Sequence, residues 1–270
     1  MGEQVRAGSL DLWVERRGQG PDVLIIAGLG DPVEAWQFQL EGLSDRYRVT
    51  AFDSPGAGRS PMLQEPFTVA DMADHVAGLL RALDIPAAHV VSQSGGSAIA
   101  QELALRHPEL VRSLVLVGTW ARPDAYFRAT LSFFRWLAEV APSERAFLEA
   151  FCLWIYTPRA HANGMVEQVI EGALAFPHKM PTEAVQRWLD AFIAHDTADR
   201  LPQIAAPTLV LAGGLDRAAA PYLGRAVAEG IPGARFEVLP EEGHRPFAEA
   251  PDQFNTRVDA FWREVGKQQS

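Results

Sequence analysis

The sequence predicts an α/β fold in which a mostly parallel sheet is covered by helices on both faces. Short apolar segments of strand length alternate with amphipathic helical segments over residues 1–117. Segments 23–27 and 113–117 are apolar almost throughout, which is typical of strands buried on both sides. The alternation stops after residue 117 and resumes near residue 207, so we predict one α/β domain with a helical insertion.

Each element of the first half has its own signal. Residues 4–17 alternate weakly around Gly8-Ser9 and predict a hairpin at a sheet edge. Thr68 is a suitable N-cap for the helix that follows it, and Asp71 lies in the first turn of that helix. The other predicted elements are a strand over 23–27, a helix around 36–43, a strand over 48–52, a helix over 68–83, a strand ending before Ser94, a helix reaching residue 106 and a strand over 113–117.

The second half begins with an aromatic-rich region of helical periodicity. Four prolines divide this region into several helices: Pro142, Pro158, Pro177 and Pro181. Strand patterns return at 207–212 and 235–239, and a final helix is predicted over 251–265. We therefore expect residues 1–120 and 202–270 to form the core and residues 121–201 to form a helical cap.

Composition narrows the class of protein. The 270 residues are 48% hydrophobic and 21% charged, which is normal for a chain with a sizeable core. A net charge of −10 argues against nucleic acid or an anionic membrane as a partner. The single Cys152 excludes an intrachain disulfide, and the first residues contain no apolar core of a signal peptide. We expect a cytoplasmic protein that acts on a small molecule, and the sequence leaves open whether it forms a homodimer.

Ser94 lies in the segment that the rest of the chain is organised around. The sequence Ser92-Gln93-Ser94-Gly95-Gly96 follows a buried strand and opens a helix. A serine on such a tight turn needs small neighbours and is exposed at the helix N-terminus, which suits a nucleophile. An ordinary Ser/Gly-rich turn between strand and helix explains the segment equally well when it is considered alone.

Two further polar residues follow buried strands. Asp216 comes after Gly213-Gly214, and His244 comes after the last strand. Alone, Asp216 could be a helix cap and His244 a surface histidine. Together they give the chain order Ser, Asp, His at the carboxyl ends of strands, where α/β sheets place their functional groups. We interpret Ser94 as the nucleophile, His244 as its base and Asp216 as the carboxylate that orients the imidazole.

The backbone N–H groups of Leu29 and Gly95 are the candidates for an oxyanion hole. Leu29 lies in the Gly28-Leu29-Gly30 loop after a buried strand, and Gly95 starts the helix after Ser94. No cofactor or metal is expected, because the remaining histidines lack ligand spacing and no complete dinucleotide or phosphate loop occurs. We interpret Asp53 as a structural carboxylate that braces a glycine-rich turn.

These motifs together resemble the α/β-hydrolase superfamily, over essentially the whole chain. The motifs are Gly28-Leu29-Gly30, the Asp53–Ser60 turn, the Ser94 elbow, Asp216 with Pro221 downstream, and Gly243-His244 with Pro251. The resemblance implies a mostly parallel eight-stranded sheet with a helical cap inserted after strand 6. Within the superfamily, the chain looks most like ester and lactone hydrolases of the 3-oxoadipate enol-lactonase type.

The chain departs from the family pattern beside the nucleophile. Ala27 stands where a histidine usually precedes the oxyanion glycine, and Ser92 replaces the first glycine of the elbow. Gln93 and Gly95 flank Ser94 where His and Met or Leu are common. These changes leave every catalytic group in place and predict a roomier or more polar elbow with altered specificity.

Several residues are predicted to contact the substrate. Aromatic residues of the cap are first of all expected to be core, and some should line a cavity above Ser94. Three cations could pair with a substrate carboxylate: Arg122, Arg159 and Lys179. The predicted substrate-binding residues are Gly28, Gln93, Trp120, Phe127, Phe134, Trp154 and Tyr156.

The predicted activity is hydrolysis of a carboxylic ester or lactone through an acyl-enzyme. One alternative is the use of the same triad for C–C bond hydrolysis or for a lyase or cyclase step. Another is a ligand receptor without catalytic activity that has kept the hydrolase fold. Haloacid and epoxide chemistry are disfavoured because their nucleophile would be Asp where this chain has Ser94.

Overall fold

The computed structural model describes residues 2–269, and these form one eight-stranded sheet with helices around it. The strands in chain order are β1 (Glu3–Ala7), β2 (Leu10–Arg17), β3 (Asp22–Ile26), β4 (Arg48–Phe52), β5 (Ala88–Gln93), β6 (Val111–Val117), β7 (Thr208–Gly213) and β8 (Arg235–Leu239). Their order across the sheet is β1-β2-β4-β3-β5-β6-β7-β8. Only the pairs β1–β2 and β2–β4 are antiparallel. The predicted fold class is therefore confirmed.

The helices lie on both faces of the sheet and in the long connection between β6 and β7. They are α1 (Gln37–Gly42), α2 (Val69–Ala82), α3 (Gly95–Arg106), α4 (Ala125–Val140), α5 (Glu144–Ile155), α6 (Pro158–Ala162), α7 (Met165–Ala175), α8 (Thr182–Ala194), α9 (Pro221–Gly230), α10 (Pro246–Glu249) and α11 (Pro251–Gln269). Helices α4 to α8 make up the connection, and we call them the insertion helices. Between residues 2 and 269, no helix is long and apolar enough to cross a membrane.

Local signals place most boundaries within a few residues of the prediction. Thr68 forms a capping box with Asp71 at the start of α2. A 3₁₀ turn over Val33–Trp36 precedes α1, and the backbone N–H of Val33 that opens this turn donates to Asp53. Strand β6 begins two residues before the predicted position because Val111 already pairs with Ala88 across a register shift.

The sheet brings three loops to one edge. Strands β5, β7 and β8 run parallel, so their carboxyl ends lie on the same side. Gln93 pairs with Val117 and Gly213 pairs with Leu239, which aligns the ends of neighbouring strands. The loops that follow these strands therefore meet above the sheet edge, where the insertion helices cover them.

Candidate active site

Ser94 occupies a strained turn between β5 and α3. Its backbone has φ 54° and ψ −125°, and among residues 2–269 the one other non-glycine residue with positive φ is Asp84. The Ser94 N–H donates to the carbonyl of Val117 at 2.8 Å, and its carbonyl accepts from Ser97 N–H at 2.8 Å. The turn is thus fixed on both sides, which is the geometry expected of a nucleophile elbow.

His244 and Asp216 form a buried pair. The distance from His244 Nδ1 to Asp216 Oδ2 is 2.7 Å, and both residues are at most 5% exposed. Because an ionised carboxylate only accepts hydrogen bonds, Nδ1 carries the proton and Nε2 is left as the basic nitrogen. The other oxygen of Asp216 accepts the backbone N–H groups of Ala218 and Ala219 at 2.9 and 2.8 Å. The helix-cap interpretation of Asp216 is wrong, because α9 begins at Pro221 with Ala220 as its N-cap, and Ala218 and Ala219 lie in the loop before it. Asp216 therefore holds this loop and the imidazole at the same time.

Gly118 permits this pair to lie against the end of β6. A Cβ at position 118 would lie 2.9 Å from His244 Cε1 and 3.3 Å from Asp216 Oδ2. The residue also has φ +55°, which side chains disfavour. A glycine directly after a buried strand is the one sequence signal of this contribution, and Gly118 was not among the predicted site residues.

Ser94 and His244 open onto one apolar cavity. Of the predicted site residues, Leu29, Trp120, Phe127 and Phe134 line it as well. Six further lining residues were not predicted as such: Leu131, Phe151, Ile155, Leu189, Phe192 and Ala218. They escaped prediction because a helical pattern alone does not tell a cavity-facing apolar residue from a core one.

Four other predicted residues have different surroundings. Gly28 borders a second cavity beside the first. Gln93 is 2% exposed, and its Nε2 donates to the carbonyl of His244 at 3.2 Å, so it joins the elbow to the histidine loop. Trp154 packs on Phe133 and Phe134, and Tyr156 accepts a hydrogen bond from Arg245. Gln93, Trp154 and Tyr156 do not border either cavity.

The three cations considered for a substrate carboxylate are paired within the protein. Arg122 binds Asp196 and Asp199. Arg159 binds Glu242 at 2.6 Å, and Lys179 lies 2.8 Å from Glu144. The acidic partners of these three cations were not predicted from the sequence.

A largely buried ion pair joins the two loops beside the cavity. Arg245 Nη2 donates to Asp31 Oδ2 at 2.8 Å, and its Nη1 donates to the Tyr156 hydroxyl at 3.0 Å. Burial raises the pKa of the Asp31 carboxyl, and Arg245 opposes that effect. Burial lowers the pKa of the Arg245 guanidinium, but Asp31, Tyr156 and Cys152 together outweigh burial and raise that pKa above its ordinary value, so the guanidinium stays protonated. The pair connects the Leu29 loop to the His244 loop.

Leu29, Gly95 and Asp53 are the remaining residues that the sequence singled out. Leu29 borders the cavity with Ser94, and Gly95 is the first residue of α3. Asp53 is fully buried and accepts the backbone N–H groups of Val33 and Arg59. No cluster of His, Cys, Asp and Glu able to hold a metal ion occurs within the described part of the chain.

Comparison with known proteins identifies the family. Residues 21–251 match the family described as alpha/beta hydrolase fold, and the chain belongs to that family. Its broad functional class is accordingly that of a hydrolase.

Individual relatives cover nearly the whole chain. A protein of Azorhizobium caulinodans named "Putative carbamate hydrolase RutD" is 34% identical over 258 residues, 96% of this chain and 97% of its own length. The structure of a thermophilic esterase from Thermogutta terrifontis is 28% identical with a TM-score of 0.86, covering 98% of this chain and 99% of that one. The enol-lactonase of Burkholderia xenovorans LB400 has a TM-score of 0.88 at 24% identity, over 97% of this chain and 100% of its own; this likeness bears on the fold alone.

Proposed function

We propose that the chain is a serine hydrolase that cleaves a carboxylic ester or lactone of a small, largely apolar substrate through an acyl-enzyme. The observation that carries this proposal is the cavity itself. Ser94 and His244 are the two members of its wall that can exchange a proton, and the other ten lining residues are aliphatic or aromatic. Such a wall favours an uncharged substrate, because it contains no Lys, Arg, Asp or Glu that could pair with a charged group as that group loses its hydration.

The reaction follows from the roles of these groups. His244 Nε2 accepts the Ser94 proton as Oγ attacks the carbonyl carbon, and Asp216 stabilises the imidazolium. The N–H groups of Leu29 and Gly95 are proposed to stabilise the tetrahedral oxyanion. Collapse of this intermediate breaks the ester bond, and the imidazolium returns the proton to the leaving alcohol. Water then attacks the acyl-enzyme by the same steps and releases the acid.

A carbamate is the second candidate substrate, because the Azorhizobium caulinodans relative carries that name. The same serine could attack the carbonyl of a neutral carbamate ester. A free carbamate anion fits the cavity poorly, since the cations considered above are all paired elsewhere. Comparing an aryl acetate with the matched aryl carbamate distinguishes the two substrates directly.

The test is acyl-enzyme trapping on purified protein. After acid quenching of a reaction with p-nitrophenyl acetate, mass spectrometry should find one added acetyl group on the peptide that contains Ser94. Ser94→Ala should abolish the adduct and lower kcat by about 10⁴-fold or more, as expected for loss of a nucleophile.

The matched control is Ser132→Ala, the same change at an exposed serine of α4. This control should retain wild-type turnover and acetylation. Product formation by Ser94→Ala at the wild-type rate, or an adduct on another residue, would refute the proposal. Faster turnover of the carbamate than of the acetate would favour the second candidate.

A further inference from the structure

A second cavity lies beside the one that contains Ser94. It is bordered by the Ala27–Gly30 loop, Ser54, Ile99 and Trp188, together with Phe192. Two residues belong to the walls of both cavities: Leu29 and Phe192. Leu29 belongs to the loop that we assign to the oxyanion hole, and Phe192 belongs to α8, one of the insertion helices.

The ring of Phe192 lies directly against the nucleophile elbow. A Cβ at position 95 would lie 2.0 Å from Phe192 Cζ and 2.4 Å from Cε2. The ring therefore occupies the space that any side chain after Ser94 would need. This contact explains why residue 95 is a glycine, because any larger side chain would collide with the ring.

Neighbouring indoles hold the ring in this place. Phe192 is 3% exposed, and its ring centroid lies 5.4 Å from that of Trp188 and 5.9 Å from that of Trp120. Trp188 is itself fixed, because its Nε1 donates to the carbonyl of Pro55 at 2.9 Å. In α8, Leu189 borders the first cavity and Trp188 the second, while Phe192 lies one turn later between them.

The division leaves little space on either side. The free volumes are about 30 Å³ beside Ser94 and about 10 Å³ in the second cavity. The first has room for about two water molecules and the second for at most about one, and a substrate chain of several carbons needs more. A long chain can be accommodated only if the two spaces are joined. Leu29 and Phe192 border both spaces, and of these two Phe192 can be truncated without changing the Gly28-Leu29-Gly30 loop.

We propose that Phe192 is the specificity-determining residue of this enzyme: its ring, seated on Gly95, ends the apolar chain of the substrate and restricts the enzyme to short chains. This inference rests on the proposed ester hydrolysis at Ser94. Removal of the ring joins the two cavities and opens a continuous apolar path past the oxyanion loop.

The first test is a chain-length series. We measure kcat/KM with p-nitrophenyl esters from acetate to octanoate and with alkyl acetates from methyl to octyl, so that both sides of the scissile bond are examined. Phe192→Ala should raise kcat/KM for an octyl or octanoyl substrate, relative to the shortest member, by about tenfold or more. Phe133→Ala removes a half-buried phenyl ring that borders neither cavity, and it should keep the wild-type preference.

The second test is a double-mutant cycle between positions 95 and 192. Gly95→Ala places a methyl group in the ring, so the displaced ring should enter the cavity and lower kcat/KM for the acetate by about tenfold. In the Phe192→Ala background the same methyl group has room and should change kcat/KM by less than about threefold. Circular dichroism and thermal unfolding establish that all three variants are folded.

A binding experiment separates this inference from the proposed reaction. In the Ser94→Ala background, the increase in Tm produced by linear alkanols from ethanol to octanol reports occupancy without turnover. Phe192→Ala should move the largest shift toward longer alkanols. If wild-type protein hydrolyses none of the esters and this movement is still observed, the proposed reaction fails while the role of Phe192 stands. Unchanged chain-length profiles in all the series, or additive effects in the cycle, would overturn the role of Phe192.

Discussion

At the residue scale, Asp216 illustrates how one carboxylate serves structure and chemistry together. Oδ1 accepts two backbone N–H groups of the loop that follows β7, and Oδ2 contacts His244 at 2.7 Å. The loop thereby orients the carboxylate, and the carboxylate orients the imidazole. Rotation of this side chain is blocked from both ends, so the basic nitrogen of His244 keeps a single orientation.

Substitutions at Asp216 should separate these two tasks. Asp216→Asn can keep a carbonyl oxygen on the loop N–H groups, but its NH₂ then faces Nδ1 and stabilises the wrong imidazole tautomer. We expect kcat to fall by about 10³-fold or more while the free energy of unfolding changes little. Asp216→Ala should lose comparable activity and also about 1 kcal/mol of stability, because two loop N–H groups lose their acceptor. Steady-state kinetics and urea unfolding measure both quantities; equal losses of stability in the two variants would contradict the assignment.

Ser94, Asp216 and His244 can be predicted as site residues from the sequence, because each follows a strand and has a glycine nearby. The predicted place of the Gln93 side chain was wrong, because it points to the carbonyl of His244 and not into the cavity. Phe192 could not be predicted, since nothing local shows that α8 returns to Gly95. A contact across 97 residues depends on how the insertion helices pack.

At the scale of elements, the junction between α5 and α6 holds the histidine loop. The His244 N–H donates to the carbonyl of Ile155 at 3.0 Å. Glu249 accepts from the N–H of Thr157 at 3.2 Å and from the N–H of Gly243 at 3.2 Å. The insertion helices therefore position His244, the proposed base, as well as enclosing the cavity, so we expect a change in their packing to act on the proposed reaction too.

The ion pair between Asp31 and Arg245 extends this network to the Leu29 loop, which carries one of the proposed oxyanion N–H groups. Their side chains are 17% and 13% exposed, so Asp31→Asn leaves a largely buried guanidinium without its carboxylate. We expect a loss of about 3 kcal/mol in the free energy of unfolding. The double variant Asp31→Leu/Arg245→Met should recover much of that stability, because no unpaired charge remains. Its kcat should nevertheless stay below that of the wild type.

Urea unfolding and steady-state kinetics measure these effects. Asp190→Asn is the matched control, because Asp190 pairs with Arg135 on the surface and should contribute less than about 1 kcal/mol. Equal destabilisation by the control and by Asp31→Asn would show that the buried pair has no special role.

The ion pairs of the insertion helices could not be predicted from the sequence, although the helices themselves could. Composition and periodicity place helices in the insertion correctly, and the prolines fall near their ends. The partners of Arg159 and Lys179 depend on tertiary approach: Glu242 is 83 residues away from Arg159. A cation without an acidic neighbour in the sequence is therefore weak evidence for an anionic substrate.

At the scale of the whole molecule, two buried histidines connect folding to pH. His89 lies in β5 against Ser113 and Trp262, and His195 lies after α8 beside Thr197. Burial lowers the pKa of each to about 4, with Arg112 adding to the effect at His89. Both imidazoles are thus neutral in the folded protein at pH values where the unfolded chain protonates them.

The sign of the pH dependence follows from this difference. Between pH 6.5, near which an unperturbed histidine titrates, and about pH 4, the unfolded chain binds more protons than the folded protein. The free energy of unfolding should therefore fall as the pH decreases through this window, by up to about 1.4 kcal/mol per pH unit for each histidine. Urea titrations from about pH 4.5 to pH 7.5 measure the slope of this dependence.

His89→Gln should reduce this slope by the contribution of one histidine. The matched control is His178→Gln, at an exposed position. If His89→Gln keeps the full wild-type slope, burial of this imidazole does not control acid stability, and the carboxylates of the ion-pair network become the groups to examine next.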